Sequence, residues 1–191
     1  MCAMEKKNET AGDLSVSART EWVVARVTAG KEDEVREMCA DMISVDVLED
    51  VFVPKHVRLK KYKDQWRRET RPLYPGYVFM VTKDPKGLEK ALIKVPGKHF
   101  LLKADDIILT VNDDEKEFIN RIAGRDNIVD ISVGYKEGDK IRIVSGPMLG
   151  LEGDIIHVDR HKRLVTINVR LFGRNVKITL GLEVVYKKPE E

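Results

Sequence analysis

The sequence is poor in several things, and each shortage removes a class of protein. Cysteine occurs only as Cys2 and Cys39, in neither metal-ligand nor redox spacing. That argues against a disulfide framework and for a reducing compartment, the cytoplasm. No run approaches the roughly 18 apolar residues that a membrane span needs, and no membrane partner is expected. Residues 1–20, MCAMEKKNETAGDLSVSART, lack the apolar stretch of a secretory signal and read as a polar, disordered tail. Neither sign of charge dominates: 34 basic and 32 acidic residues leave a net charge of +2. Only local clustering can therefore speak of partners.

Catalytic signatures are missing too. The histidines, His56, His99, His157 and His161, fall in no metal-ligand spacing. There is no GxxxxGK[ST] or GxSxG. SGPMLGLEG is glycine-rich, but no helical pattern follows it, so its glycines read as turn formers rather than a phosphate cradle. The chain is expected to be no enzyme, with no metal and no cofactor.

What is present is a change of texture halfway along. WVVARV has the length and β-branched content of a strand. In the following KEDEVREMCADMI, Val35, Met38, Cys39 and Met42 recur at helical spacing, with Glu32, Asp33 and Glu34 in the first turn. VFVPKHVRL is a strand interrupted by Pro54, and GYVFMV is its return. Asp84 with Pro85 opens a second helix over Leu88, Ala91, Leu92 and Val95, stopped by Pro96-Gly97. HFLLKA and IILTV are strand-like. Asn112 and Glu115 form a capping-box pattern ahead of Phe118, Ile119 and Ile122, and Gly124 ends that helix. This order predicts a split βαβ α/β sandwich of the α+β class at 21–123, with its first two helices on one sheet face. A polar linker, 124–133, follows. Residues 134–188 then give closely spaced strands, KIRIV, GDIIHV, LVTINV, VKIT and LEVVY, which predict a small five-stranded β-barrel.

Two features stand out as functional candidates. Between residues 55 and 71, Lys55, Arg58, Lys60, Lys61, Lys63, Arg67, Arg68 and Arg71 face only Asp64 and Glu69, a formal excess of six positive charges. Tyr62 and Trp66 lie among them. Rings beside guanidinium groups suit stacking with single-stranded nucleic acid; the alternative is a solvated hairpin that protects a sheet edge. Directly after it come Tyr74, Pro75, Gly76, Tyr77 and Phe79. Strand alternation sends Tyr77 and Phe79 to one face, Val78 and Met80 to the other. One set lacks cover from the first two helices. It is either an exposed partner surface or is covered by the last helix or the linker.

The stretches EWVVARVTAGKEDEVREMC, VFVPKHVRLKK and RRETRPLYPGYVFM resemble the N-terminal domain of the NusG family, and EGDKIRIVSGPMLGLEGDIIHVDRHKRLVTINVRLFGRNVKITLGLEVV resembles its SH3-like KOW domain. The resemblance implies a transcription elongation factor that docks on the clamp helices of RNA polymerase near RNA and non-template DNA. It places Tyr74, Tyr77, Phe79, Phe100 and Leu101 in the polymerase-contact region, and assigns nucleic-acid contact to the basic run with Trp66. It also puts Met148, Leu151, Phe172 and Arg174 where the barrel meets a second partner. General members carry phenylalanines at the positions of Met148 and Leu151. Aliphatic side chains fill a pocket without stacking, which argues against Rho and leaves ribosomal protein S10 as a candidate. KHFLLK after Pro96-Gly97 and NVKITL after FGR also depart from housekeeping members. These departures resemble the specialised LoaP and RfaH groups, acting as monomeric processive antitermination factors. A housekeeping NusG and a ribosome-associated KOW protein are the alternatives. Some RfaH-like members store the C-terminal half as a helical hairpin; the β-branched density here predicts a barrel.

Overall fold

The computed structural model describes residues 19–138 and 140–185. Most of the expected tail at 1–20, together with Asp139 and residues 186–188 of the expected barrel, lies outside the described residues.

The N-terminal half is built on a four-stranded sheet. Strand β1 (Glu21–Val27) leads into helix α1 (Glu32–Met42), then β2 (Asp50–Phe52). Pro54 ends β2, and the chain leaves the sheet as a long hairpin of β3 (Lys55–Tyr62) and β4 (Gln65–Pro72). It returns as β5 (Tyr77–Thr82), followed by α2 (Pro85–Leu92) and β6 (His99–Leu101). The sheet order is β2-β5-β1-β6. Short strands β7 (Lys103–Ala104) and β8 (Ile107–Ile108) form a small hairpin before α3 (Asp113–Ala123).

The period of two in β5 decides what each face buries. Val78 and Met80 join Val23, Ala25, Val35, Cys39, Leu88 and Leu92 in the core beneath α1 and α2. Tyr77, Phe79, Val24 and Phe52 point to the opposite face, where α3 supplies Ile119 and Ile122. The first two helices thus share one face, as expected. Met42 is 52% exposed: the helical stripe of α1 runs out at its last turn. Desolvation in the first core pushes the Cys39 thiol up to about 11. Helix α3 has the expected capping box: Asn112 accepts from the Glu115 amide at 2.8 Å and Glu115 accepts from the Asn112 amide at 3.2 Å.

The C-terminal half is a small β-barrel. Its sheet contains β10 (Ser132–Glu137), β11 (Lys140–Ser145), β12 (Ile155–Asp159), β13 (Leu164–Leu171) and β14 (Arg174–Val185). They are ordered β11-β10-β14-β13-β12. Two expectations about its strands need correction. VKIT and LEVVY belong to one strand, β14, because pairing with β13 carries extended backbone through Gly181. The missing fifth strand is β10, drawn partly from the expected linker. The rest of that linker is structured as well: β9 (Ile128–Val129) pairs parallel with β3 through Lys55↔Ile128 and His56↔Val129.

Candidate nucleic-acid and partner interface

The hairpin of β3 and β4 turns in two residues, Lys63 and Asp64, whose φ values of 45° and 66° match a type I′ turn. Its register, Tyr62↔Gln65 to Lys55↔Pro72, sorts the basic residues between two faces, since directly paired residues point the same way. One face carries Arg58, Lys60, Tyr62, Arg67, Glu69 and Arg71; the other carries Lys61, Trp66 and Arg68.

The first face is outward along most of its length. Glu69 sits at its centre, 2.7 Å from both Arg58 and Arg71 and 3.8 Å from Lys60. Hydrogen bonds from Arg71 and then Arg58 hold its carboxyl down to about 2. The guanidinium groups are thereby spaced and aimed rather than left to repel one another. Near the tip the Arg67 guanidinium lies 5.4 Å and the Lys63 ammonium 5.8 Å from the Tyr62 ring, which is 54% exposed. At the root His56 is buried, its Nδ1 without a partner among the described residues. Burial, then Arg58, lowers it to about 4 despite Glu69.

The second face does not stand free as expected. Trp66 lies against the barrel, with the Arg163 guanidinium 4.4 Å from its ring centroid. Arg68 pairs with Asp130, Lys61 with Asp64 at 2.8 Å, and Lys55 with Asp33 of α1 at 2.8 Å. The exposed ring beside the outward charges is Tyr62. Sequence order placed both rings in the basic run, but only the pairing register shows which shares a face with Arg67.

The aromatic face of the sheet is closed rather than open. Tyr74 and Phe79 are buried, and the barrel's Phe172 stands with its ring 6.3 Å from that of Phe79. Phe52 and Tyr74 flank Phe79 at 5.5 and 5.8 Å. The same cluster contains Met148 and Leu151, which are buried as well. Five of the sequence candidates, Tyr74, Phe79, Met148, Leu151 and Phe172, thus share a seam between the two halves, because each half brings an apolar surface that the other covers. Burial pushes the Tyr74 phenol up, with Glu115 adding to it, and its hydroxyl has no partner among the described residues. Glu115 closes the seam by accepting from the Gly173 amide at 3.2 Å. Beside it, Gly181 of β14 passes so near β3 that a Cβ there would stand 2.5 Å from the Val57 carbonyl oxygen.

Leu101 is separated from the other polymerase candidates. It is buried beneath α2, while its neighbour Phe100 points to the other side and is 63% exposed. Register places Phe100 beside Arg26 on β1, which pairs in turn with Tyr77; the Arg26 guanidinium lies 4.6 Å from the Tyr77 ring. Tyr77 is only partly covered, so Tyr77, Arg26 and Phe100 form an accessible row. Arg174 is exposed at the turn after Phe172.

One buried contact escaped sequence reasoning. Glu32 accepts from the Gly76 amide at 2.6 Å and the Gly30 amide at 2.8 Å, fixing the Pro75-Gly76 turn to the start of α1. Gly76 has φ of 83°, and a Cβ would press on the Val27 carbonyl at 3.3 Å.

The profile described as "Transcription termination factor nusG" matches residues 20–123, and that described as "KOW motif" matches residues 137–170. The "Transcription termination/antitermination protein NusG" of Thermus thermophilus is 23% identical over 181 residues, covering 87% of this chain and 98% of the relative. That of Pseudomonas aeruginosa is 24% identical over 174 residues, covering 87% and 97%. "Transcription elongation factor Spt5" of Sulfolobus acidocaldarius is 23% identical over 171 residues, covering 86% and 91%. A solved structure described as "Domain interaction in Thermotoga maritima NusG" aligns with a TM-score of 0.52 at 23% identity, over 85% of this chain and 94% of that one; it supports the fold. Fold and sequence together define a two-part transcription factor, an α+β unit followed by a KOW barrel. The chain belongs to the NusG family, whose members are transcription factors and not enzymes.

Proposed function

We propose that this chain is a cytoplasmic processive antitermination factor of the LoaP or RfaH kind, which binds the clamp helices of RNA polymerase through its aromatic sheet face. The observation that carries the reading is the aromatic cluster of Phe52, Tyr74 and Phe79 on the face away from α1 and α2. Much of its cover comes from the separate barrel. Tyr77 and Phe100 form the accessible margin at which docking starts, and Tyr74 and Phe79 join once Phe172 withdraws. The outer face of the hairpin, with Arg58, Lys60, Tyr62, Arg67 and Arg71, contacts RNA or non-template DNA beside the enzyme. Burial of Met148 and Leu151 supports a barrel that offers these side chains to no second partner while it sits on the sheet.

Capture of core RNA polymerase tests the first contact. Phe172→Asp, which sets a carboxylate against Phe79, should tighten capture at least tenfold, and Tyr77→Ala with Phe100→Ala should weaken it. Equal capture by the parent chain and Phe172→Asp would remove the polymerase assignment of this face. Nucleic-acid contact is read from salt dependence. Neutralising about four phosphates of a single strand gives a slope of roughly −3 for log affinity against log salt, and Lys60→Ala with Arg67→Ala should flatten it. Stable capture by Rho would favour a housekeeping role instead.

A further inference from the structure

Behind Trp66, on the side of the hairpin facing the barrel, runs a groove of about 1030 Å³ whose lining belongs to the barrel except for Trp66, which closes it from the hairpin. Trp66 forms one wall. Val184 and Val185 lie at the end of β14, Lys136 comes from β10, and Arg160, His161 and Arg163 come from the turn between β12 and β13. Asp159 also lines the groove, but its carboxylate accepts from the Lys162 amide at 2.9 Å and lies 3.4 Å from the Lys162 ammonium. Arg163 is itself paired with Glu183 at 3.4 Å, so the cations Lys136, Arg160, Lys162 and Arg163 stand against the acids Asp159 and Glu183, and positive charge still prevails. Trp66 remains 36% exposed even with Arg163 against it. A flat, partly open indole backed by a guanidinium and flanked by cations suits a stacked base followed by its phosphates.

We propose that this groove is a second binding site for a single-stranded nucleic acid, completed by the Trp66 ring only while the barrel rests on the sheet. The proposal rests on the nucleic-acid reading above but uses the opposite face of the hairpin. Its consequence follows from linkage. A ligand that needs both walls stabilises the arrangement in which Phe172 covers Phe79, and so opposes polymerase docking without touching the docking face. The outer face, in contrast, keeps its geometry in either arrangement. The chain therefore carries two sites of opposite effect for one kind of polymer: an outer site compatible with polymerase, and an inner site that competes with it.

The test uses the full chain with Lys60→Ala and Arg67→Ala to silence the outer face, and fluorescent 12-nucleotide RNA and DNA of mixed sequence. This background should still bind at least one polymer, and the RNA and DNA arms identify which. Adding Arg160→Glu should cost at least tenfold in affinity. Two independent openings, Phe172→Asp and Gly181→Ala, should cost as much, and adding Arg160→Glu to either should cost little more. Excess strand should also lower polymerase capture by this background, but not by Phe172→Asp. Unchanged or tighter binding in both opened variants overturns the proposal. So does loss of all binding in the Lys60→Ala, Arg67→Ala background when the parent chain still binds, an outcome that leaves the outer site intact. If neither polymer binds the parent chain, both readings fall.

Discussion

Phe172 adopts a backbone conformation that a bulky residue ordinarily avoids. It shares a two-residue turn with Gly173, at φ values of 54° and 69°, as the type I′ geometry between β13 and β14 demands. A left-handed residue with a Cβ costs roughly 1–2 kcal/mol, and the ring against Phe79 offsets that cost. Phe172→Ala loses the ring and keeps the strain, whereas Phe172→Asn loses the ring at a position Asn tolerates. Urea unfolding of the full chain should therefore find the Asn variant about 1 kcal/mol more stable than the Ala variant. His56 gives a pH prediction. Its folded value of about 4 lies below its ordinary value of 6.5, so the unfolded chain binds the proton first. The stability it contributes is fully present above about 6.5 and drains away as pH falls towards 4. His56→Leu should flatten that part of the stability profile, with Arg58, Glu69 and Arg71 left in place around it. Glu69 acts in the same direction lower down, between its ordinary 4.5 and about 2.

At the scale of elements, the hairpin and α3 are shaped by their ends. Lys63 and Asp64 both hold positive φ, where Asn-Gly is the preferred pair. Replacing them with Asn and Gly should raise the midpoint of thermal unfolding by a few degrees, the size expected for about 1 kcal/mol, without moving the outer face. Asn112→Ala should cost about 1 kcal/mol. It should also loosen the seam, read as faster amide exchange in β5, because Glu115 uses one oxygen for the capping box and the other for Gly173. These elements were largely legible beforehand. Asn112, Glu115 and Gly124 bounded α3 through local chemistry, as did Asp84 and Pro85 for α2. Strand β10 was not legible: SVGYKE alternates weakly, and while one edge pairs with its neighbour β11, the other is fixed by parallel pairing with β14, a partner some 50 residues away. For the same reason VKIT and LEVVY read as two strands, since Gly181 resembles a break until β13 is laid beside it.

For the whole molecule the seam is the main feature. It joins Phe79, Tyr74, Ile119 and Ile122 of one half to Phe172, Met148, Leu151 and Ile143 of the other in a continuous apolar cluster. The two halves should therefore unfold as one transition in the parent chain and separate into two in Phe172→Asp, a difference calorimetry can resolve. Local pattern in the sequence settled where the three helices lie, where β1, β5 and β11 to β13 run, that Tyr77 and Phe79 share a face, and where positive charge gathers. It did so because capping, alternation and turn chemistry act over a few residues. Only the tertiary structure decided that the barrel covers Tyr74 and Phe79, that Leu101 lies on the far side from Phe100, and that Tyr62 rather than Trp66 stands with Arg67. Those outcomes depend on register and on the docking of two surfaces distant in the chain, and no short-range preference encodes either.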